Sequence, residues 1–126
     1  QACDEGGVTL LEDCAHSIGV RFGDGTKDCP HTGHHGISCC ISSQAYKMLN
    51  SGEGGFYLTN DGPMAAKVAV YAGAYEGLSC KHITVPPLEV FGDLPKELPN
   101  YSVRMSCLTA AVIQPQIATL EERVEK

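Results

Sequence analysis

The residue best suited to chemistry in this sequence is a lysine in a glycine-bounded connection. Lys47 lies in the stretch Ser42-Ser43-Gln44-Ala45-Tyr46-Lys47-Met48-Leu49-Asn50-Ser51-Gly52-Glu53-Gly54-Gly55. An apolar run, Ile37 to Ile41, precedes it, and another, Phe56 to Thr59, follows. An amine held between two strand ends, rather than on a solvated helix face, suits a desolvated and mostly neutral state. In that state it can form an imine with an aldehyde. The competing reading is a surface lysine in a glycine turn. Asp13, His16 and Ser42 weigh against that reading as a group, though not singly. Alone, Asp13 fits a capping or loop carboxylate equally well, His16 fits a packed or solvated histidine better, and Ser42 is uninformative.

The elements that would bring these residues together are short apolar runs of strand length. Val8 to Leu11 reads as a buried parallel strand, because it is continuously apolar and turn-like residues flank it. Asp13 then stands at its carboxyl end, where open α/β sheets place their ligands. Ile37 to Ile41 reads as a second buried strand and Gly55 to Thr59 as a third. Gln1 to Gly7 reads as a polar tail ending in the glycine pair of a helix end. Ala15 to Phe22 reads as an extended piece, and Gly23 to Gly36 as a loop.

Beyond the third strand, Asn60-Asp61-Gly62 is a turn or cap. Pro63 opens a helix through about Tyr75, with Gly77 after its end. Cys80 to Pro99 carries four prolines and reads as a long loop. Ser106 is the N-cap of a last helix, with Leu108, Ala111, Val112, Ile117, Leu120 and Val124 at helical spacing. Pro115 interrupts that helix and should kink it, at about 3 kcal/mol if the helix is continuous. The fold class is therefore α/β, a mostly parallel sheet with flanking helices.

Composition narrows the partners. The sequence has 126 residues, enough for one domain with one core. Its formal charge of −6, with no basic stripe and no Trp, argues against nucleic acid. No apolar run reaches spanning length and no signal pattern opens the sequence, so no membrane partner is expected and the expected location is cytoplasmic. Seven cysteines without a paired CxxC spacing point to reduced thiols. Cys14, Cys39 and Cys107 read as small hydrophobes within apolar segments, and Cys39-Cys40 as core. Cys29, His31, His34 and His35 invite a zinc reading, but C-x-H-x2-H-H matches no closed structural site, and no metal is expected.

A pyridine aldehyde cofactor needs a lysine for its imine, a carboxylate at the ring nitrogen, and hydroxyl or amide donors for its phosphate. Asp13, His16, Ser42 and Lys47 could converge as such a set. Four blocks then become recognisable in order. They are Glu12-Asp13-Cys14-Ala15-His16-Ser17, Ser42 to Lys47, Gly52-Glu53-Gly54-Gly55, and Asn100 to Met105 with Ala110-Ala111 behind it. Together they resemble the DegT/StrS family of pyridoxal-phosphate-dependent sugar aminotransferases, over nearly the whole sequence.

The resemblance implies a role for each matching position. Lys47 matches the Schiff-base lysine, which also moves the proton in transamination. Asp13 matches the carboxylate on the pyridine nitrogen, and Ser42 a hydroxyl that donates to the phosphate. His16 falls where members carry Gln or His near the cofactor's phenolic oxygen. Asn100 resembles an asparagine that reaches the phosphate in the neighbouring subunit, which implies a homodimer or higher homo-oligomer. The implied activity is amino transfer to a keto-sugar nucleotide or keto-cyclitol, with glutamate as donor. The implied fold is part of a fold-type-I, aspartate-aminotransferase-like large domain.

Two departures accompany the match. Ser102-Val103 separates Tyr101 from Arg104, which weakens any role for Arg104. Residues 1–126 also resemble only the middle of the family's large domain, without its N-terminal part or its C-terminal small domain. A catalytically silent, self-associating module is therefore the alternative expectation.

Overall fold

In the computed structural model the described residues are 2–24, 26, 28–73 and 86–125. They fall into two compact units, residues 1–58 with 105–126 and residues 59–104.

The first unit opens with a short helix, α1 (Ala2–Glu5). It ends as the glycine pair dictates. Gly7 takes φ 64°, its N–H bonds Asp4 O, and Val8 N–H reaches back to Cys3 O at 2.8 Å. Strand β1 (Leu11–Asp13) follows, then β2 (Ser38–Ser42) and β3 (Gly55–Thr59), forming a sheet in the order β1-β2-β3. The pair β1–β2 is parallel, with Leu11 opposite Ser38 and Asp13 opposite Cys40. Carboxyl ends of β1 and β2 therefore point the same way.

The first strand differs from the expectation of a buried run at 8–11. It starts at Leu11, and Val8 and Leu11 are 62% and 65% exposed. Pairing with β2 fixes its position, and the Schellman exit of α1 takes up the residues before it. Residues 15–22 are likewise not extended. Ser17 N–H bonds Cys14 O and Val20 N–H bonds Ser17 O, so the segment folds as successive turns. The following loop closes on itself where Arg21 bridges His31 in antiparallel fashion, with Thr32 N–H on Val20 O at 2.9 Å.

The segment between β2 and β3 is a closed hairpin. Ser43 N–H bonds Gly54 O at 2.9 Å and Ala45 N–H bonds Gly52 O at 3.0 Å, stepping inward in antiparallel order. Gly54, at φ 138°, lies so close to Ser43 Oγ that a Cβ there would stand 2.8 Å away.

The C-terminal helices also belong to this unit. Ser106 caps α5 (Cys107–Ile117) as expected, its Oγ accepting Thr109 N–H at 3.0 Å. Helix α5 runs through Pro115 and stops at Ala118, and α6 (Leu120–Val124) follows. Of the apolar positions on α5, Ile113 is buried. Leu108, Val112 and Ile117 are 81%, 51% and 53% exposed, so the expected apolar stripe is not the packed face. Cys14 and Cys39 are buried, as their apolar surroundings suggest, but Cys40 and Cys107 are exposed. Cys40 is the neighbour of Cys39 on a pleated strand, so its side chain turns to the other face.

The second unit has its own core. Helix α2 (Gly62–Ala72) is capped by Asp61, whose Oδ1 accepts Met64 N–H at 2.7 Å, and ends at Gly73 with φ 76°. The helix therefore stops at Ala72, short of the expected Tyr75, because Gly73 takes the left-handed conformation that closes it. Tyr75 and Gly77 themselves lie outside the described residues. Within the span read as a loop, residues 86–99 instead hold α3 (Leu88–Phe91) and α4 (Leu94–Glu97). Ala66, Val70 and Phe91 are buried together, with Ala69, Val90, Leu94 and Leu98 packed around them. That apolar contact holds two helices too short to persist alone. Among the described residues, no helix is long and apolar enough to cross a membrane.

Candidate functional site

Two carboxyl-terminal strand ends carry the first pair of candidate residues. Asp13 closes β1 and Ser42 closes β2. Each folds its side chain onto the backbone just beyond. Asp13 Oδ1 accepts Ala15 N–H at 3.0 Å, and Ser42 Oγ accepts Gln44 N–H at 3.3 Å. Asp13 is exposed and Ser42 half-buried.

The turn after Asp13 brings His16 to the lysine. Lys47 Nζ lies 2.7 Å from His16 Nε2 and 3.2 Å from Nδ1, across 31 positions of sequence. Lys47 is half-buried and His16 exposed. The hairpin between β2 and β3 supplies the lysine, and the turn beyond β1 supplies the imidazole. An amine and an imidazole at this separation can exchange a proton directly.

Several residues that sequence reasoning passed over hold this arrangement in place. Glu12 is the first. Its Oε1 accepts Gly36 N–H at 2.6 Å and His35 N–H at 2.7 Å, while Oε2 accepts Gly33 N–H at 2.9 Å. These backbone donors, that of Gly36 foremost, hold its carboxyl below the usual glutamate range. The strand residue immediately before Asp13 thus anchors residues 33–36. Its place in the Glu12-Asp13 block was the available signal.

Ser43 is the second, fully buried at the neck of the lysine hairpin. Ser51 N–H bonds Ser43 O at 2.8 Å, and Ser51 Oγ donates to Ser43 Oγ at 3.1 Å. Lys47 N–H bonds Gln44 O at 2.9 Å, which tightens the tip. Gln116 of α5 and Arg123 of α6 bond the hairpin backbone at Asn50 and Met48 respectively.

Asn100 belongs to the second unit. Its Oδ1 accepts Ser102 N–H at 2.7 Å, in a turn where Ser102 adopts φ 53°. The Asn100 amide packs on Gly73, where a Cβ would meet Oδ1 at 2.5 Å. Arg104 closes the same corner, with NH1 donating to Gly73 O and N–H to Ala72 O. These bonds give Arg104 a structural task at the end of α2.

His35 meets the Phe22 ring edge-on at 4.5 Å, and the His31 and His34 rings stack at 6.4 Å. Cys29 Sγ donates to Asp24 Oδ1 at 3.2 Å. Among the described residues, no three His, Cys, Asp or Glu side chains come together as metal ligands.

Comparison with known proteins places these blocks in context. The model of the DegT/DnrJ/EryC1/StrS aminotransferase family matches residues 1–126. An L-glutamine:scyllo-inosose aminotransferase of Streptomyces griseus is 39% identical over 61 residues, covering 48% of this chain and 13% of the relative. An L-glutamine:2-deoxy-scyllo-inosose aminotransferase of Streptomyces kanamyceticus is 37% identical over 68 residues, 54% of this chain and 15% of the relative. A serine hydroxymethyltransferase of Deinococcus deserti is 30% identical over 106 residues, 81% of this chain and 24% of the relative. Each match therefore spans less than a quarter of the relative's own length. With a family model matched from end to end, this chain belongs to the DegT/DnrJ/EryC1/StrS aminotransferase family.

Proposed function

We propose that this chain carries the lysine side of a pyridoxal-phosphate-dependent aminotransferase site, acting on a keto-cyclitol or a keto-sugar nucleotide. The observation that carries the reading is Lys47 Nζ at 2.7 Å from His16 Nε2, beside the ends of two adjacent parallel strands. The residue set suits the cofactor's chemistry: an amine for an aldehyde, a carboxylate for a ring nitrogen, and a hydroxyl for a phosphate.

When bound, pyridoxal phosphate supplies the aldehyde carbon and an electron-accepting ring. Lys47 would hold it through Nζ, and its freed amine would take and return the proton of the amino-bearing carbon. His16, in contact with that amine, would accept its excess proton before it binds. Asp13 would keep a proton on the ring nitrogen, and Ser42 would donate to the phosphate. Asn100 would act on the phosphate of a second subunit's site, which makes a homodimer or larger homo-oligomer the working form.

The two inosose aminotransferases favour a cyclitol over a nucleotide sugar, and their names turn the expected donor from glutamate towards glutamine. The test is amino transfer by the full-length protein with pyridoxal phosphate, nitrogen-labelled glutamine or glutamate, and a panel of keto-cyclitols and keto-sugars. Label in the amine of a cyclitol or sugar product supports the proposal. Conversion of serine to glycine without any such transfer would overturn it, in favour of the hydroxymethyltransferase relative.

A further inference from the structure

One side-chain amide on α5 holds the lysine hairpin at Asn50. Gln116 Oε1 accepts Asn50 N–H at 3.0 Å, and Gln116 Nε2 donates to Asn50 O at 2.6 Å, across 66 positions of sequence. The same Nε2 donates to Val112 O at 2.8 Å. Pro115 strips a backbone donor from this turn of α5, since it has no N–H to give to the carbonyl four residues back. The Gln116 amide adds a donor in that same turn and is thereby held to its own helix while it reaches the hairpin.

We infer that Gln116 is a positioning residue for Lys47, an inference that rests on reading Lys47 as the amine that binds the cofactor. A side-chain amide that satisfies both the N–H and the C=O of one residue fixes the orientation of the peptide plane as well as its distance. Asn50 lies three residues from Lys47. The neck of the hairpin is already fastened by Ser43 and Ser51, and Arg123 donates to Met48 O. With these points set, the Lys47 backbone has little freedom, although its side chain is a flexible four-carbon stem. Reacting groups demand such placement, because a displacement of about 1 Å costs roughly 100-fold in rate.

The test uses the full-length protein and a Gln116→Met variant, similar in length but without either polar atom. Two readouts are needed: amide hydrogen exchange of residues 47–51 without cofactor, and the rate at which pyridoxal phosphate becomes attached to Lys47, trapped by borohydride. Exchange at Asn50 should rise on the order of tenfold, as two hydrogen bonds are lost, while Ile113 and strand β2 keep their protection. Attachment to Lys47 should slow by a similar factor. Gln116→Glu keeps an acceptor for Asn50 N–H but sets a carboxylate against the carbonyls of Asn50 and Val112. It should therefore also raise exchange at Asn50 and slow attachment, and it replaces Gln116→Met if that variant does not fold. Wild-type attachment in the variant, whether or not exchange at Asn50 rises, would overturn the inference and leave the site reading intact. If the wild-type protein itself attaches no cofactor at Lys47, the site reading fails and the inference falls with it.

Discussion

Glu12 accepts the backbone N–H of Gly36 at 2.6 Å, and the same carboxylate also takes the N–H groups of Gly33 and His35. One charged side chain on β1 therefore organises the approach to β2, next to the residue that ends its own strand. Its carboxyl titrates below the usual glutamate range because those donors favour the ionised form. A group whose folded pKa is lowered stabilises the fold above its unfolded value, and that stability drains away as pH falls through the folded value. Protection of amides 33–36 should thus fall as pH drops below the ordinary glutamate range. Glu12→Gln should show low protection there already at neutral pH and lose the acid dependence. Hydrogen exchange between pH 7 and about pH 3 checks this, and a Glu12→Gln profile that tracks wild type would contradict it.

Ser43 gives a second prediction. It is fully buried, and its hydroxyl accepts from Ser51 Oγ. Ser51 Oγ also has Ser43 O and Glu53 O within reach, at 3.3 and 3.1 Å, so it is not stranded when the partner hydroxyl goes. Ser43→Ala should therefore cost about 1 kcal/mol, the net worth of one hydrogen bond. Denaturant unfolding of the variant measures it.

The second unit rests on Phe91, which is 4% exposed and packed with Ala66 and Val70. Phe91→Ala should cost about 3–5 kcal/mol through lost transfer energy and a cavity. The loss should register first in the amides of α3 and α4, because these helices have four residues each and no cooperative length of their own. Exchange rates at Val90, Lys96 and Leu98 report it, with Ala66 to Val70 of α2 opening later.

Much of this architecture was legible from residue type. The bounds of β3 follow from Gly55 and Thr59, β2 lies one residue from its apolar run, and Ser106 and the glycine pair mark real helix ends. Strand-end placement of Asp13 and Ser42 was equally readable, since a parallel pair needs only two apolar runs and a connection. The failures have physical causes. Helices α3 and α4 are shorter than one hydrophobic period can reveal, and their prolines imitate a loop, although Pro95 in fact opens α4. The apolar stripe on α5 misled because Leu108, Val112 and Ile117 stay largely exposed, while Ile113, outside the expected positions, is the buried residue. Gln116 left no trace at all, because a side-chain amide that bonds a distant backbone has no sequence signature.

The most direct measurement is the site of cofactor attachment. The full-length protein is mixed with pyridoxal phosphate, reduced with borohydride and digested, and the modified residue is read by mass spectrometry. The account predicts modification at Lys47, lost in Lys47→Ala and slowed at least several-fold in His16→Ala, which removes the proton acceptor 2.7 Å away. Modification spread over surface lysines such as Lys67 and Lys96, with Lys47→Ala indistinguishable from wild type, would contradict it.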